Sequence, residues 1–86
     1  MGRADKLLQR FLSKPKDFSY DELKRLLYHF GYEETEGGKS SGSRATFFNI
    51  KTGHTIKFHK PHPKPILKVY QIREIENILK ERGVLL

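Results

Sequence analysis

The apolar positions of the chain predict helices at both ends and extended structure between them. Apolar residues at helical spacing near the start predict a short first helix over residues 4–12, which Pro15 prevents from continuing. Ser19, followed three residues later by Glu22, forms a capping box, and the apolar positions after it follow an i, i+3, i+4, i+7 spacing. Gly31 supplies a residue that readily adopts the left-handed conformation at a helix end. A second helix is therefore predicted over residues 20–30.

The middle of the chain predicts a three-stranded antiparallel meander. Strands are expected over residues 32–36, 44–50 and 55–59 because these stretches are rich in aromatic and β-branched residues. A Gly/Ser-rich loop over residues 37–43 joins the first two strands, and residues 51–54 form a hairpin turn between the second and third.

Two adjacent phenylalanines, Phe47 and Phe48, lie in the second predicted strand. Successive side chains of a strand point to opposite faces, so one of the two rings must point away from the helices. An outward ring would either stack on a nucleic-acid base or cover a neighbouring loop, and the pattern leaves both alternatives open.

The last element is a helix over residues 69–82, preceded by three prolines that keep residues 61–65 extended and followed by Gly83. The order is therefore α-α-β-β-β-α. This order predicts an α+β fold in which a three-stranded antiparallel sheet carries helices on one face, like a double-stranded-RNA-binding domain. With 86 residues, the chain is expected to form a single domain, residues 1–86, with the first helix (about 4–12) as an addition.

The distribution of charge favours a polyanionic partner. The net charge is +7, and no Asp or Glu occurs between Gly37 and Arg73. The cations of this central block are Lys39, Arg44, Lys51, Lys57, Lys60, Lys64, Lys68 and Arg73. Because a solvated face normally mixes both signs, a block with one sign predicts a surface that faces nucleic acid.

Candidate catalytic chemistry in this block rests on histidine. His54, His59 and His62 are close in sequence, and an imidazole is the usual general base near neutral pH. In RNA cleavage the 2′-hydroxyl is itself the nucleophile, so one base suffices. No Cys, Asp or Glu accompanies these histidines, and hence neither a metal site nor a serine triad is expected. We expect no metal and no cofactor.

A resemblance to a known family sharpens this interpretation. Five features of the chain carry it: the amphipathic helix ending in Phe30-Gly31-Tyr32, the loop into Gly42-Ser43, the turn at Thr52-Gly53, the His-Pro sequence and the closing Ile-rich helix. In these features the chain resembles the HicA toxins over roughly residues 19–85. The resemblance implies a double-stranded-RNA-binding-like fold, metal-independent cleavage of messenger RNA, and neutralisation by a HicB antitoxin. It also implies a type II toxin–antitoxin system.

The chain departs from that family at the residue expected to be catalytic. The family signature is a Gly-Ser-His loop entering the second strand, whereas Gly42-Ser43 is followed here by Arg44; His62 matches a later family histidine. An arginine stays protonated and cannot act as a base, but it can hold a phosphate. If the protein cleaves RNA, His62 or His59 is expected to be the base and Arg44 the phosphate clamp.

Two functions follow from these observations. The first is a HicA-like toxin that binds and cleaves messenger RNA, and the alternative is a non-catalytic RNA-binding module or regulator with the same fold. In both, the residues expected to bind RNA are Lys39, Ser43, Arg44, Lys57 and Lys60. Residues 1–10 carry charges throughout and show no long apolar run, so neither a signal peptide nor membrane association is expected, and the protein is expected to be cytoplasmic.

Overall fold

The computed structural model describes residues 3–35, 44–61 and 64–85. Within these ranges the order of elements is α-α-β-β-β-α, as predicted. The helices are α1 (Arg3–Leu12), α2 (Tyr20–His29) and α3 (Val69–Glu81), and the strands are β1 (Tyr32–Thr35), β2 (Arg44–Asn49) and β3 (Thr55–His59). Each described end lies within one residue of the sequence prediction. Glu36, the last residue of the first predicted strand, lies outside the described ranges.

Local hydrogen bonds explain where α2 begins and where β2 ends. The Ser19 hydroxyl accepts from the Glu22 amide at 3.1 Å, and the Glu22 carboxylate accepts from the Ser19 amide at 3.0 Å, so the predicted capping box is confirmed. At the end of β2, the carboxamide oxygen of Asn49 accepts hydrogen bonds from the backbone amides of Lys51 and Thr52. These bonds turn the chain directly after Asn49, which is why β2 stops one residue before its predicted end.

The three strands form one antiparallel sheet in the order β1-β2-β3. One face is buried under the helices and contributes Tyr32, Ala45, Phe47 and Ile56 to the core. Phe47 stacks in parallel on Phe58 of β3, with ring centroids 5.7 Å apart. Phe48 therefore points to the opposite face, where it is 38% exposed. The predicted arrangement of helices on one face of the sheet is confirmed.

Helix α1 packs on the rest of the chain. Phe11 is fully buried and its ring meets that of Phe18 edge-on, with centroids 5.6 Å apart. Arg10 makes a bidentate ion pair with Glu22 of α2, at 2.7 and 3.1 Å. Burial of an aromatic ring and a bidentate ion pair together fix α1 against α2.

The segment that joins β3 to α3 also contacts the start of α2. The amide of Leu67 donates to the carbonyl of Phe18 at 2.8 Å, and the amide of Tyr20 donates to the carbonyl of Pro65 at 2.9 Å. Ser19 and Ile66 form an isolated antiparallel bridge. These bonds bring α3 alongside the sheet, with Ile72, Ile75 and Leu79 of α3 in the core.

Candidate functional site

The face of the sheet that the helices leave uncovered is polar and carries opposite charges at its two ends. Its residues alternate with the core residues along each strand, as the register requires. They are Glu33, Thr35, Arg44, Thr46, Phe48, Thr55, Lys57 and His59. We call this surface the open face. Glu33 lies opposite Phe48 at one end, and the cations lie at the other.

Three candidate residues come together at the positive end of the open face. Arg44 at the start of β2 and His59 at the end of β3 are directly opposed across the two strands, and Lys57 lies two positions before His59. Side chains that are opposed in this way have Cβ atoms about 4.5–5.5 Å apart. All three residues are exposed. We refer to Arg44, Lys57 and His59 as the basic corner.

A cavity of about 240 Å³ opens beside the basic corner. The three residues of the corner line one side of it, together with Phe58. Helix α3 supplies the other side through Tyr70, Gln71 and Glu74. The cavity thus combines three basic side chains with two aromatic residues, Phe58 and Tyr70, and one carboxylate.

Gln71 fixes the position of α3 against β3. Its side-chain amide donates to the backbone carbonyl of His59 at 3.0 Å, and its carbonyl oxygen accepts from the backbone amide of Lys68 at 3.0 Å. The residue is buried, and both ends of its carboxamide are engaged. Gln71 therefore ties the first turn of α3 to the strand that carries His59.

Sequence reasoning did not identify Tyr70 and Glu74 as site residues. Each is exposed, and they lie four positions apart on α3, so they share one face of the helix. Their exposure and spacing alone would suit any solvated helix face. The contact that gives them a role is the approach of α3 to β3, and nothing in the local sequence indicates it. Glu74 also brings a carboxylate to the cavity that His59 lines, whereas the central block of the sequence contains no Asp or Glu.

The other predicted site residues are placed differently. Lys60 follows β3, is half-buried, and does not line the cavity. Its charge acts instead on Glu34: burial would raise the pKa of Glu34, but hydrogen bonds from Tyr20 and Lys24 and the charge of Lys60 lower it overall. The predicted RNA-binding residues Lys39 and Ser43, and the candidate base His62, lie outside the described residues.

A second histidine occupies a different environment at the far end of β3. The Nδ1 atom of His54 lies 2.8 Å from the hydroxyl of Tyr32, and the two rings meet edge-on. Burial lowers the pKa of His54, and the charge of Arg82 lowers it further. Because the neutral imidazole is favoured and the Tyr32 hydroxyl occupies one of its nitrogens, His54 serves the packing of this hairpin end.

The described residues show neither a metal-binding cluster nor a membrane-spanning helix. Residues 3–35, 44–61 and 64–85 contain no cluster of three or more His, Cys, Asp or Glu side chains placed to hold a metal ion. None of the helices in these ranges is long and apolar enough to cross a membrane.

Comparison with known proteins identifies the family. Residues 20–84 match the family model described as the "HicA toxin of bacterial toxin-antitoxin" systems. No curated protein and no solved structure matches the chain. The match begins at the first residue of α2 and includes all three strands and α3, so α1 lies outside it. Since the match covers well over half of the 86 residues, the chain belongs to the HicA toxin family.

Proposed function

We propose that this toxin binds messenger RNA on the open face of its sheet and cleaves it without a metal ion. The observation that carries the proposal is the direct pairing of Arg44 with His59 across β2 and β3, at an exposed end of that face. An arginine and a histidine side by side provide the two groups that RNA cleavage needs, which are a phosphate clamp and a proton acceptor.

Binding would depend on the basic corner. The guanidinium of Arg44 can hold two oxygens of one phosphate, and Lys57 adds a second positive charge on the same face. Each phosphate neutralised in this way releases counterions, so affinity would fall steeply with salt. A footprint of about four to six phosphates predicts a slope of log affinity against log salt near −3 to −5.

Cleavage would use the 2′-hydroxyl of the RNA as nucleophile. The imidazole of His59 takes the proton from this hydroxyl, its oxygen attacks the adjacent phosphorus, and the bond from phosphorus to the 5′-oxygen breaks. The products are a 2′,3′-cyclic phosphate and a 5′-hydroxyl, which takes its proton from a general acid or from water. Arg44 stabilises the negative charge that develops on the phosphate oxygens. His62, three residues after His59, remains the other candidate for the base.

The alternative is an RNA-binding member of the family that has lost its chemistry. The observation that favours it is Arg44 itself, which stands after Gly42-Ser43 where the family signature has its catalytic histidine. A guanidinium holds a phosphate but remains protonated at neutral pH, so it cannot replace an imidazole as a base. In this alternative the basic corner binds RNA and leaves it intact.

The proposed setting follows from family membership. A toxin of a toxin–antitoxin system implies an antitoxin partner, and we propose a HicB-like protein in that role. We further propose that residues 1–86 form one domain to which α1 is an addition, since Phe11 of α1 is fully buried in the shared core. Messenger RNA as substrate places the activity in the cytoplasm.

The test is cleavage of a long messenger RNA by the purified protein in excess EDTA. Wild type is compared with His59→Ala, His62→Ala and Arg44→Ala, and His29→Ala serves as control because His29 is an exposed histidine on α2, away from the open face. Cleavage that persists in EDTA and is lost in His59→Ala supports the proposal. Loss in His62→Ala alone moves the base to that residue.

Two results would contradict the proposal. Binding of RNA without cleavage by any preparation would establish the non-catalytic alternative. Full cleavage by a triple variant of Arg44, His59 and His62 to alanine would remove the basic corner from the mechanism altogether.

A further inference from the structure

The wall that α3 contributes to the cavity has a composition that phosphate binding does not explain. Tyr70 is 57% exposed, and Glu74 lies one helical turn further along the same face. A carboxylate repels phosphate, and a tyrosine ring provides no charge to attract it. Both nonetheless line the same cavity as Arg44, Lys57 and His59. The cavity is therefore suited to a ligand that has a flat apolar surface and hydrogen-bond donors as well as a phosphate.

The size of the cavity limits that ligand to a small group. Its volume of about 240 Å³ lies below the range of about 300–1,000 Å³ found for sites that enclose a drug-sized molecule. One nucleobase fits this description, because it is small, flat and attached to a phosphodiester chain. A stretch of several stacked bases would not fit.

We propose that the cavity binds a single unpaired base of the RNA, with guanine preferred. The base stacks on the ring of Tyr70, its Watson–Crick edge faces the carboxylate of Glu74, and its phosphate lies on Arg44 and Lys57. Stacking on an aromatic side chain tolerates every base, since every base has a π-face. The choice of base therefore depends on Glu74. The inference rests on the proposed function, because it assigns a base subsite to the same RNA-binding surface.

The preference for guanine follows from the chemistry of a carboxylate. An ionised carboxylate only accepts hydrogen bonds, through two adjacent oxygens. On its Watson–Crick edge, guanine presents two neighbouring donors, the N1–H and the 2-amino group. Adenine and cytosine present an amino group beside a ring nitrogen that is an acceptor, and uracil presents one N–H between two carbonyls. Only guanine matches both carboxylate oxygens without placing an acceptor against one of them.

The fixed geometry of α3 supports the assignment of base recognition to Glu74. Gln71 lies between Tyr70 and Glu74 in sequence, but its carboxamide is engaged at both ends by the backbones of His59 and Lys68. It is therefore occupied, and its role is to hold Tyr70 and Glu74 at a constant position relative to the basic corner. A rigid wall of this kind reduces the entropy lost when a base binds.

The base must be unpaired for these contacts to form. In a duplex the Watson–Crick edge is occupied by the partner base, and both faces of the ring are stacked on neighbours. Sequence-selective proteins usually read RNA at single-stranded segments and loops for this reason. The inference therefore specifies single-stranded RNA containing guanine as the substrate class.

The experiment measures binding of short fluorescent oligonucleotides by anisotropy. The probes are 2′-O-methyl oligouridylates of eight nucleotides in which the fourth position is G, A, C or U. They lack the free 2′-hydroxyl, so binding is read without cleavage. The proteins are wild type, Tyr70→Phe, Tyr70→Ala and Glu74→Gln. The controls are Tyr28→Ala, an exposed tyrosine on α2, and Glu81→Gln, an exposed glutamate at the end of α3.

The expected results separate stacking from base selection. Tyr70→Ala weakens binding of all four probes about tenfold, whereas Tyr70→Phe and Tyr28→Ala leave it nearly unchanged. Wild type prefers the G probe over the U probe, and Glu74→Gln abolishes that ratio while Glu81→Gln preserves it. The ratio is the decisive quantity, because removing any negative charge from the protein raises its affinity for all RNA.

Failure of this inference can be distinguished from failure of the proposed function. If wild type binds neither the probes nor RNA of greater length, the proposed function and the inference both fail. If RNA binding requires Arg44 and Lys57 but is indifferent to Tyr70→Ala, or if Glu74→Gln keeps the preference for G, only the inference is overturned. Loss of antitoxin binding in Tyr70→Ala with RNA binding intact would make the cavity a protein contact and would equally overturn it.

Discussion

Replacing Gln71 with alanine tests whether the link between α3 and β3 is as strong as its geometry indicates. The substitution removes two hydrogen bonds of 3.0 Å, one to the His59 carbonyl and one from the Lys68 amide. Each bond contributes about 1 kcal/mol, and an unsatisfied partner in a buried setting adds a further penalty of about 1 kcal/mol or more. Water can reach these partly buried groups and offsets some of that penalty. We expect a loss of about 2–3 kcal/mol in the free energy of unfolding.

The assay is urea denaturation followed by circular dichroism, with Gln9→Ala as control because Gln9 is exposed on α1. For a domain of this size, a loss of about 2–3 kcal/mol corresponds to a fall of roughly 10–20 °C in Tm. Gln71→Glu refines the test, since a carboxylate still accepts from Lys68 but cannot donate to His59. If Gln71→Ala costs no more than Gln9→Ala, the carboxamide does not hold α3 in place and the reasoning is refuted.

Other substitutions test the packing of α1, the ion pair of α2 and the hairpin turn. Phe11→Ala should lower the free energy of unfolding by about 3 kcal/mol within one cooperative transition, because the ring is fully buried, while Ile50→Ala, 83% exposed, should have little effect. The Arg10 guanidinium lowers the pKa of Glu22 to about 2. This lowering corresponds to about 3 kcal/mol of stability, which solvent screening of the partly exposed pair reduces to about 2 kcal/mol. The contribution is present above pH 4.5 and is lost as the pH falls towards 2, so Glu22→Gln should flatten this acid limb in a pH series of urea denaturations. Asn49→Ala should lower the free energy of unfolding by about 2 kcal/mol in the same urea assay, because it removes the acceptor of two amides in the hairpin turn.

The helices and strands could be predicted from the sequence because their signals are local. The capping box of Ser19 and Glu22 and the left-handed position at Gly31, where φ is +95°, fix α2 through contacts between near neighbours. The position of Arg44 and His59 on one face of the sheet also follows from local features. Once the hairpin turn is placed, the alternation of the two strands puts both residues on the same face.

The cavity could not be predicted, because it depends on packing between distant parts of the chain. Tyr70 and Glu74 reach the basic corner through contacts between distant residues, among them the hydrogen bond from Gln71 to a carbonyl twelve residues away. A glutamine within an amphipathic helix gives no indication of such a bond. The choice between Phe47 and Phe48 was likewise undetermined by alternation alone. It was decided by the stacking of Phe47 on Phe58, a contact across the sheet.

The docking of α1 was also beyond the reach of sequence patterns. Its apolar spacing predicts a helix but does not say what that helix packs against. The structure places Phe11 in the shared core and links Lys14, just after α1, to Glu76 of α3 at 2.6 Å. Both contacts join residues far apart in the chain, so neither has a local signal.

The two edges of the sheet have unequal capacities to pair with further strands. At the β3 edge, the carbonyl of His59 already accepts a hydrogen bond from Gln71, so an added strand would have to displace α3 there. Among the residues that the structure describes, no helix is hydrogen-bonded across the β1 edge in this way, but β1 spans only Tyr32–Thr35 there and carries Glu33 and Glu34. Short edge strands with charged side chains are poor templates for edge-to-edge association. The chain should therefore resist β-mediated aggregation at the high concentrations used for purification.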